Sequence, residues 1–350
     1  MFVPGVEVAS PGTGSLRMKR GANVHSGGRT MLRSLLVPLD GSDFGEAALP
    51  VATGLAARAS TDVHIVHVYD HKAPEELLAL TQYQYQGIDL EEYANHYHER
   101  DREYLHHAAD RLRENLGRAP MAVLLEGSFT EGLQDYVAEH EVDLIVMSTH
   151  GHMGLSRSWL GSMTDRLVRA LSVPILLVRP REGRSADSET IRRILVPLDG
   201  SGESEAILTS AVELAESVGA SLTFLHVNPT KLVVGARSYA VPVRNLRQRH
   251  EAAEAYLNDV VERLGELAVP ADVQVRDAPN PAVGILEAAA ETDADVIALT
   301  GHGRTGMALA ALGSVADKVL RSCGCRVLLA PERVREPEPA MTEGAHAIGV

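Results

Sequence analysis

Cysteine is nearly absent: the 350 residues hold 2. A disulfide framework is therefore excluded, and a reducing, cytoplasmic setting fits the composition. Lysine is almost as scarce, with four residues (Lys19, Lys72, Lys231 and Lys318). No Gly-x4-Gly-Lys-Ser/Thr occurs, which excludes a P-loop enzyme. No apolar run approaches the length of a membrane span, and residues 1–30 lack the apolar core of a signal peptide. Positive charge is in deficit, 33 Lys+Arg against 47 Asp+Glu, for a net charge of −14. Nucleic-acid phosphates and anionic lipid both select clustered positive charge, so neither is an expected partner. What remains is 45% hydrophobic and 23% charged residues, an ordinary globular composition. At about 150 residues per domain, the length predicts two domains.

The chain is written twice. Leu36-Val37-Pro38-Leu39-Asp40-Gly41-Ser42 recurs as Leu195-Val196-Pro197-Leu198-Asp199-Gly200-Ser201, and His67-Val68 as His226-Val227, both at an offset of 159. Asp143, Gly151 and Gly161-Ser162 recur as Asp295, Gly303 and Gly313-Ser314, at an offset of 152. Identity at separated places in the same order marks a duplicated domain. The repeats are expected over residues 31–180 and 191–332, joined by a polar linker at 181–190. Residues 1–30 and 333–350 show no periodicity and are expected to be disordered tails.

Each copy alternates strand and helix patterns. In the first, strands are predicted at Ser34–Leu39, Val63–Tyr69, Met121–Leu125, Leu144–Ser148 and Ile175–Val178. Helical spacing falls at Glu46–Ala57, across Leu90–Leu116, at Glu131–His140 and at Ser162–Leu171, and a polar stretch runs from Asp70 to Asp89. In the second copy, strands are predicted near Ile194–Leu198, Leu222–Val227, Ala271–Val275, Val296–Thr300 and Val327–Ala330. Strand–helix alternation with nearly all-apolar strands gives the fold class: α/β, two repeated doubly wound parallel five-stranded sheets with helices on both faces. The last strands, Ile175–Val178 and Val327–Ala330, are predicted sheet edges. Bare apolar edges associate, so pairing is expected between the copies, as an intramolecular pseudo-dimer, and between chains, as a homodimer.

In an open doubly wound sheet, ligands bind beyond the carboxyl ends of the strands where the strand order reverses. Two duplicated motifs fall there. Asp40 and Asp199 follow the first strand and carry acceptors suited to a ribose hydroxyl or an adenine amine. After the fourth strand come Ser148-Thr149-His150-Gly151 and Thr300-Gly301-His302-Gly303, leading to Gly161-Ser162 and Gly313-Ser314. A glycine past a strand lets backbone amides approach an anion, and the following helix start presents free N–H groups and a favourable dipole to phosphate. Ser162 and Ser314 can add a hydroxyl or cap the helix. His150 and His302 can donate to a phosphate or brace the loop. Alone, Asp-Gly-Ser is ordinary turn and N-cap chemistry. Both motifs, in both copies, point to a nucleotide.

The combination of Val-Pro-Leu-Asp-Gly-Ser, His-Val ending the second strand, and Gly-x9-Gly-Ser after the fourth resembles the universal stress protein family, as a tandem two-domain member. The resemblance implies a strand order of 3-2-1-4-5 and ATP, with or without Mg, between strands 1 and 4 of each domain. Carried over by position, the site residues are Pro38, Asp40, Val68, Ser148, His150, Gly151, Gly161, Ser162, Met163 and Thr164 in the first copy. In the second they are Pro197, Asp199, Val227, Thr300, His302, Gly303, Gly313, Ser314 and Val315. The backbones of Val68 and Val227 would read the adenine edge. One departure stands out: the family signature Gly-x2-Gly-x9-Gly-Ser/Thr begins here with Ser148 and Thr300.

Other motifs carry less. Gly301-x-Gly303-x-x-Gly306 matches a dinucleotide fingerprint but follows the fourth strand, with no acidic residue ending the next. His96, His98, His106 and His107 lie among Glu92, Glu99 and Glu103, as on a solvated helix face, so no metal site is expected. Cys323-Gly324-Cys325 reads as a buried, inert pair, and Trp159 stands where the second copy has Ala311. No His-x-Gly-His turn of a nucleotidylyl transferase follows the first strand. A regulatory module that binds ATP is the leading expectation. A slow ATP hydrolase and a dimerisation protein without nucleotide are the alternatives.

Overall fold

The computed structural model describes residues 6–9, 32–69, 90–149, 166–168, 170–179, 190–234, 237–240, 243–301 and 312–330. A short strand β1 (Val6–Ala9) precedes the first repeat, which contributes β2 (Ser34–Leu39), β3 (Asp62–Tyr69), β4 (Met121–Glu126), β5 (Leu144–Ser148) and β6 (Ile175–Val178). The second contributes β7 (Arg193–Pro197), β8 (Ser221–Pro229), a hairpin of β9 (Lys231–Val234) and β10 (Arg237–Ala240), then β11 (Ala271–Ala278), β12 (Val296–Thr300) and β13 (Arg326–Ala330). The helices of the first repeat are α1 (Asp43–Glu46), α2 (Ala48–Ala59), α3 (Leu90–Leu116) and α4 (Phe129–His140). Those of the second are α5 (Gly202–Glu205), α6 (Leu208–Val218), α7 (Val243–Leu264), α8 (Pro281–Glu291) and α9 (Ser314–Ser322).

All strands but the hairpin form one sheet, ordered β1-β4-β3-β2-β5-β6-β13-β12-β7-β8-β11. Within each repeat this is the order 3-2-1-4-5, and every pairing inside a repeat's own sheet is parallel. The strands are apolar because both faces are covered. Along β2, Leu35, Val37 and Leu39 enter one core layer and Leu36 the other. Each such side chain contributes about 1.5–3 kcal/mol on burial.

The repeats join where β6 runs antiparallel to β13, with Ile175 opposite Leu329, Leu176 opposite Leu328 and Leu177 opposite Val327. The two apolar edges thus cover each other, and a homodimer through the same edges has none left to use. Beneath the junction α2 packs on α6, so that Leu49, Ala52, Leu55, Leu208, Ala211 and Ala215 share one apolar layer. Polar ties between the repeats add to it. Arg58 Nη1 donates to the Val218 carbonyl at the end of α6 at 2.8 Å, a cation at a helix carboxyl terminus. The Leu32 N–H donates to Ser217 Oγ at 3.2 Å.

The structure departs from the sequence reading in three places. Residues 1–30 were expected to be a disordered tail, yet Val6–Ala9 pairs in parallel with Ala122–Leu125 of β4. The reason is edge chemistry: β4 ends the first repeat's sheet with an uncharged Ala122–Leu125 run, and an added strand satisfies its outer backbone groups. The β9–β10 hairpin has no counterpart in the sequence reading. The first helix, expected at Glu46–Ala57, is two segments, because the Ser42 cap starts a single turn at Asp43 before α2 begins. The polar stretch 70–89 lies outside the described residues, as does half of the helix expected at Ser162–Leu171, including its start.

Candidate functional site

The carboxyl ends of strands 1 and 4 separate in both repeats, and the sequence shows why. At the amino ends the strands are clamped: Asp143 Oδ2 accepts the N–H groups of Arg33 (2.7 Å) and Ser34 (3.0 Å). Asp295 Oδ2 does the same for Arg192 (2.8 Å) and Arg193 (3.1 Å). Above the clamp the ladder lasts two residues, Leu35–Leu36 against Leu144–Ile145 and Ile194–Leu195 against Val296–Ile297. The next residue presenting its backbone to strand 4 is a proline. The Ser34 carbonyl accepts the Asp143 N–H (3.1 Å) and that of Arg193 the Asp295 N–H (2.9 Å), so alternation turns Pro38 and Pro197 to the same side. Having no N–H, they donate nothing to the ladder, and it stops. Pairing on the other side runs on to Leu39 with His67 and to Pro197 with Leu225. The result is a crevice at the topological switch point.

Asp40 and Asp199 stand on its lip. Asp40 Oδ1 accepts the Ser42 N–H (3.1 Å) and Oγ–H (2.6 Å), and Ser42 Oγ accepts the Gly45 N–H (3.0 Å), capping α1. Asp199 Oδ1 accepts from Ser201 N–H (2.9 Å) and Oγ–H (2.6 Å), with the Ser204 N–H on Ser201 Oγ (3.1 Å). Gly41 and Gly200 between them have φ of +78° and +83°, which a side chain would strain. The turn reading of Asp-Gly-Ser therefore holds, and the turn is what aims the carboxylate. Space differs between the copies: a Cβ on Gly45 would lie 2.3 Å from Asp40 Oδ1, whereas Ser204 occupies the matching position and receives the Asp199 N–H on its Oγ at 3.3 Å. The one-turn helices carry these lips across, α1 packing on β5 and α5 on β12.

On the strand 2 wall, the Gly127 N–H donates to the Tyr69 carbonyl at 3.0 Å and the Leu198 N–H to the Leu225 carbonyl at 2.8 Å. Alternation then turns the backbones of Val68 and Val227 toward strand 1, just past its end. On the strand 4 wall, Ser148 is buried and Thr300 half-buried, each closing its strand. In the second copy Gly313 donates its N–H to the Gly301 carbonyl at 2.6 Å, pinning the two ends of the intervening loop. Gly313, not Ser314, is the N-cap of α9. The N–H groups left over at this helix start are those of Ser314, Val315 and Ala316. His150, Gly151, Gly161, Ser162, Met163, Thr164, His302 and Gly303 lie outside the described residues, as does Trp159.

A duplicated polar network beside the lip was not read from the sequence. Glu46, His67, Tyr104 and Arg111 recur as Glu205, His226, Tyr256 and Arg263, at the offsets of 159 and 152 that govern the rest of the repeat. In the second copy Tyr256 Oη donates to Glu205 Oε1 (2.9 Å), and the Arg263 guanidinium grips both Glu205 oxygens at 3.0 Å. In the first, Arg111 Nη2 is 2.7 Å from Glu46 Oε1, while the buried Tyr104 hydroxyl faces Glu46 without a well-formed hydrogen bond. His67 and Tyr104 meet edge to face at 5.7 Å, His226 and Tyr256 at 6.2 Å. His67 Nδ1 donates to the carbonyl of Leu39, directly before Asp40, at 2.8 Å. Burial and the neighbouring glutamate push both phenols up, with Asp40 and Asp199 adding to the effect. The bond from Arg263, helped by that from Tyr256, holds Glu205 below the usual carboxylate range. The repeat offsets were the signal that could have exposed these residues.

Comparison with known proteins settles the lineage. The model of the universal stress protein family matches residues 31–179 and again 190–331. The chain belongs to this family. A universal stress protein of Mycolicibacterium smegmatis is 27% identical over 226 residues, 64% of this chain and 73% of its own. One from Bacillus subtilis is 27% identical over 150 residues, 43% of this chain and all of its own. The crystal structure of a universal stress protein from Archaeoglobus fulgidus aligns with a TM-score of 0.60 at 17% identity, covering 86% of this chain and 99% of that one. It shares the fold. The duplication makes this chain a tandem member.

The other motifs resolve modestly. His98 lies 3.6 Å from Glu126, His106 3.1 Å from Asp110 and His107 3.8 Å from Glu103, each facing a carboxylate on a surface. The side chain of His96 is not among those described. Cys323 is buried and its Sγ donates to the Cys325 carbonyl at 3.4 Å, but Cys325 is only half-buried, so the pair is not uniformly enclosed. Among the described residues no helix is long and apolar enough to cross a membrane.

Proposed function

We propose that this universal stress protein is a cytoplasmic regulatory module that binds one ATP in each crevice. The observation that carries the reading is the interrupted ladder at the switch point of both repeats, with an oriented carboxylate on one lip and, in the second copy, a helix start on the other. The residues fit an adenine nucleotide. Asp40 and Asp199 supply acceptors for ribose hydroxyls or the adenine amine, and the backbones of Val68 and Val227 face the same space. Phosphates would meet the first-turn N–H groups of α9 and its counterpart rather than lysines. Gly313 N–H is engaged in closing the loop, so Ser314 and Val315 carry more of that task than the sequence pattern alone assigns.

Binding rather than turnover is the expected activity. The Oδ1 atoms of the two aspartates serve their own turns, and Glu46 and Glu205 are held by arginine, so none of these carboxylates is set up as a base to activate water. The test is nucleotide analysis of the purified full chain, followed by ATP titration and phosphate release. We expect saturable binding that falls at least tenfold in an Asp40→Ala/Asp199→Ala variant, with negligible phosphate release. No occupancy up to millimolar ATP would sink the reading. Sustained turnover lost in that variant would replace it with hydrolysis.

A further inference from the structure

We infer that the duplicated Glu–Tyr–Arg–His networks are positioning devices that hold the aspartate turns in nucleotide-reading geometry. The inference rests on the proposed ATP site and adds to it residues that touch no nucleotide.

The need for such a device follows from length. α1 and α5 have four residues each, and a single helical turn does not persist on its own capping bond. Each begins at the serine that orients the aspartate and ends at the glutamate of the network. Anchoring that glutamate fixes the far end of a segment whose near end is the ligand carboxylate. The anchor is strong: a fork of two Arg263 bonds, charge-assisted, plus a phenol donor, on one carboxylate. Its partners project from α7, and in the first copy from α3, the long helices that lie across the sheet. In the first copy the fourth member acts on the other side of the turn, since His67 holds the carbonyl one residue before Asp40.

A generic surface ion pair would not recur this way. Between the copies α1 and α5 differ at Asp43, Phe44 and Gly45, which become Gly202, Glu203 and Ser204. Glu46 is the position that stays. On the long helices, Asp101, which lies 3.4 Å from His67 Nε2, becomes Ala253. Tyr104 and Arg111 stay. What persists is the set that reaches the turn.

The test uses the full chain with Asp40→Ala, which leaves the second site alone, and compares Glu205→Gln, Tyr256→Phe, Asp199→Ala and the Glu205→Gln/Asp199→Ala pair. ATP affinity is read by titration, and amide exchange over residues 199–206 is read without nucleotide. Glu205→Gln should weaken ATP about tenfold, Tyr256→Phe about threefold, and Glu205→Gln should add less than twofold once Asp199 is gone. Exchange across the turn should rise at least fivefold in Glu205→Gln, with the melting temperature of the chain little changed. Unchanged exchange, or a loss that multiplies with that of Asp199→Ala, overturns the positioning role. Failure of the Asp40→Ala parent to bind ATP, with exchange rising as expected, overturns the nucleotide reading instead. Should Glu205→Gln fail to fold, Tyr256→Phe, which removes one hydroxyl from a chain otherwise intact, carries the same comparison.

Discussion

The two repeats fold alike but are not built to the same tolerance. In the first, Gly132 of α4 faces Leu125, and a Cβ there would sit at 3.6 Å, an ordinary contact. In the second, the matching Gly284 of α8 is pressed against the sheet: a Cβ would fall 2.6 Å from Val227 Cγ1 and 2.9 Å from Ala278 Cβ. The outer strands differ in the same spirit. β4 is buried along Ala122–Leu125 and covered by β1, whereas β11 carries Asp272, Gln274, Arg276 and Asp277 and is half-exposed. The clamp, the prolines and the Asp-Gly-Ser turns recur in both, and each one-turn helix ends in a glutamate held by an arginine, as a fork with an added tyrosine donor in the second copy alone. Duplication has left the crevice alone while its surroundings drifted, so a glycine or an edge strand in one repeat cannot be interpreted from its twin.

The sharpest way to break this comparison is the glycine pair. Gly284→Ala should cost about 1–3 kcal/mol, because the methyl has nowhere to go. Gly132→Ala should be neutral or stabilise by up to about 1 kcal/mol through helix propensity. Denaturant titration of the two variants checks both, and equal effects would mean that the helices pack alike after all. Next in size is the edge. Removing residues 1–10 bares β4, and light scattering should show concentration-dependent association. Introducing a lysine in β4, as Val123→Lys would on a buried face, is no remedy, while β11 needs none because its charges already guard it.

The smallest effect crosses the junction. Glu213 on α6 stands where the first repeat has Gly54, and burial, reinforced by the charge of Asp143, pushes its carboxyl up. A raised carboxyl favours the folded state below its titration and loses that advantage as pH rises through it. Glu213→Gln should therefore raise the melting temperature at neutral pH by about 1 °C. The difference should vanish on acidification. Calorimetry at two pH values decides it.

The fold was largely legible because its determinants are local and repeated. Apolar runs ended by Asp-Gly-Ser, and helical spacing between them, marked the strands of both copies and the described helices of the first to within a few residues. The missing parts depend on partners that periodicity along the chain does not reveal. Val6–Ala9 is four residues with no periodicity of their own, and only the β4 edge makes a strand of them. The hairpin of β9 and β10 needs each strand as the other's partner. At the site, Asp40 and Asp199 stood out because turn chemistry and position coincide. Glu46, Tyr104 and Arg111 drew no notice as a group, since their meaning appears only when α1 and α3 are brought side by side. The role of Pro38 and Pro197 in opening the crevice likewise needs the register of strand 4.

The antiparallel seam between β6 and β13 fixes the outlook of the two sites. Strands of the first repeat end where strands of the second begin, so the two crevices open at opposite poles of one continuous sheet. A protein docked over one mouth has no view of the other. With nucleotides bound as proposed, the tandem arrangement suits a molecule read from two directions at once, rather than one in which paired ligands create a single shared face.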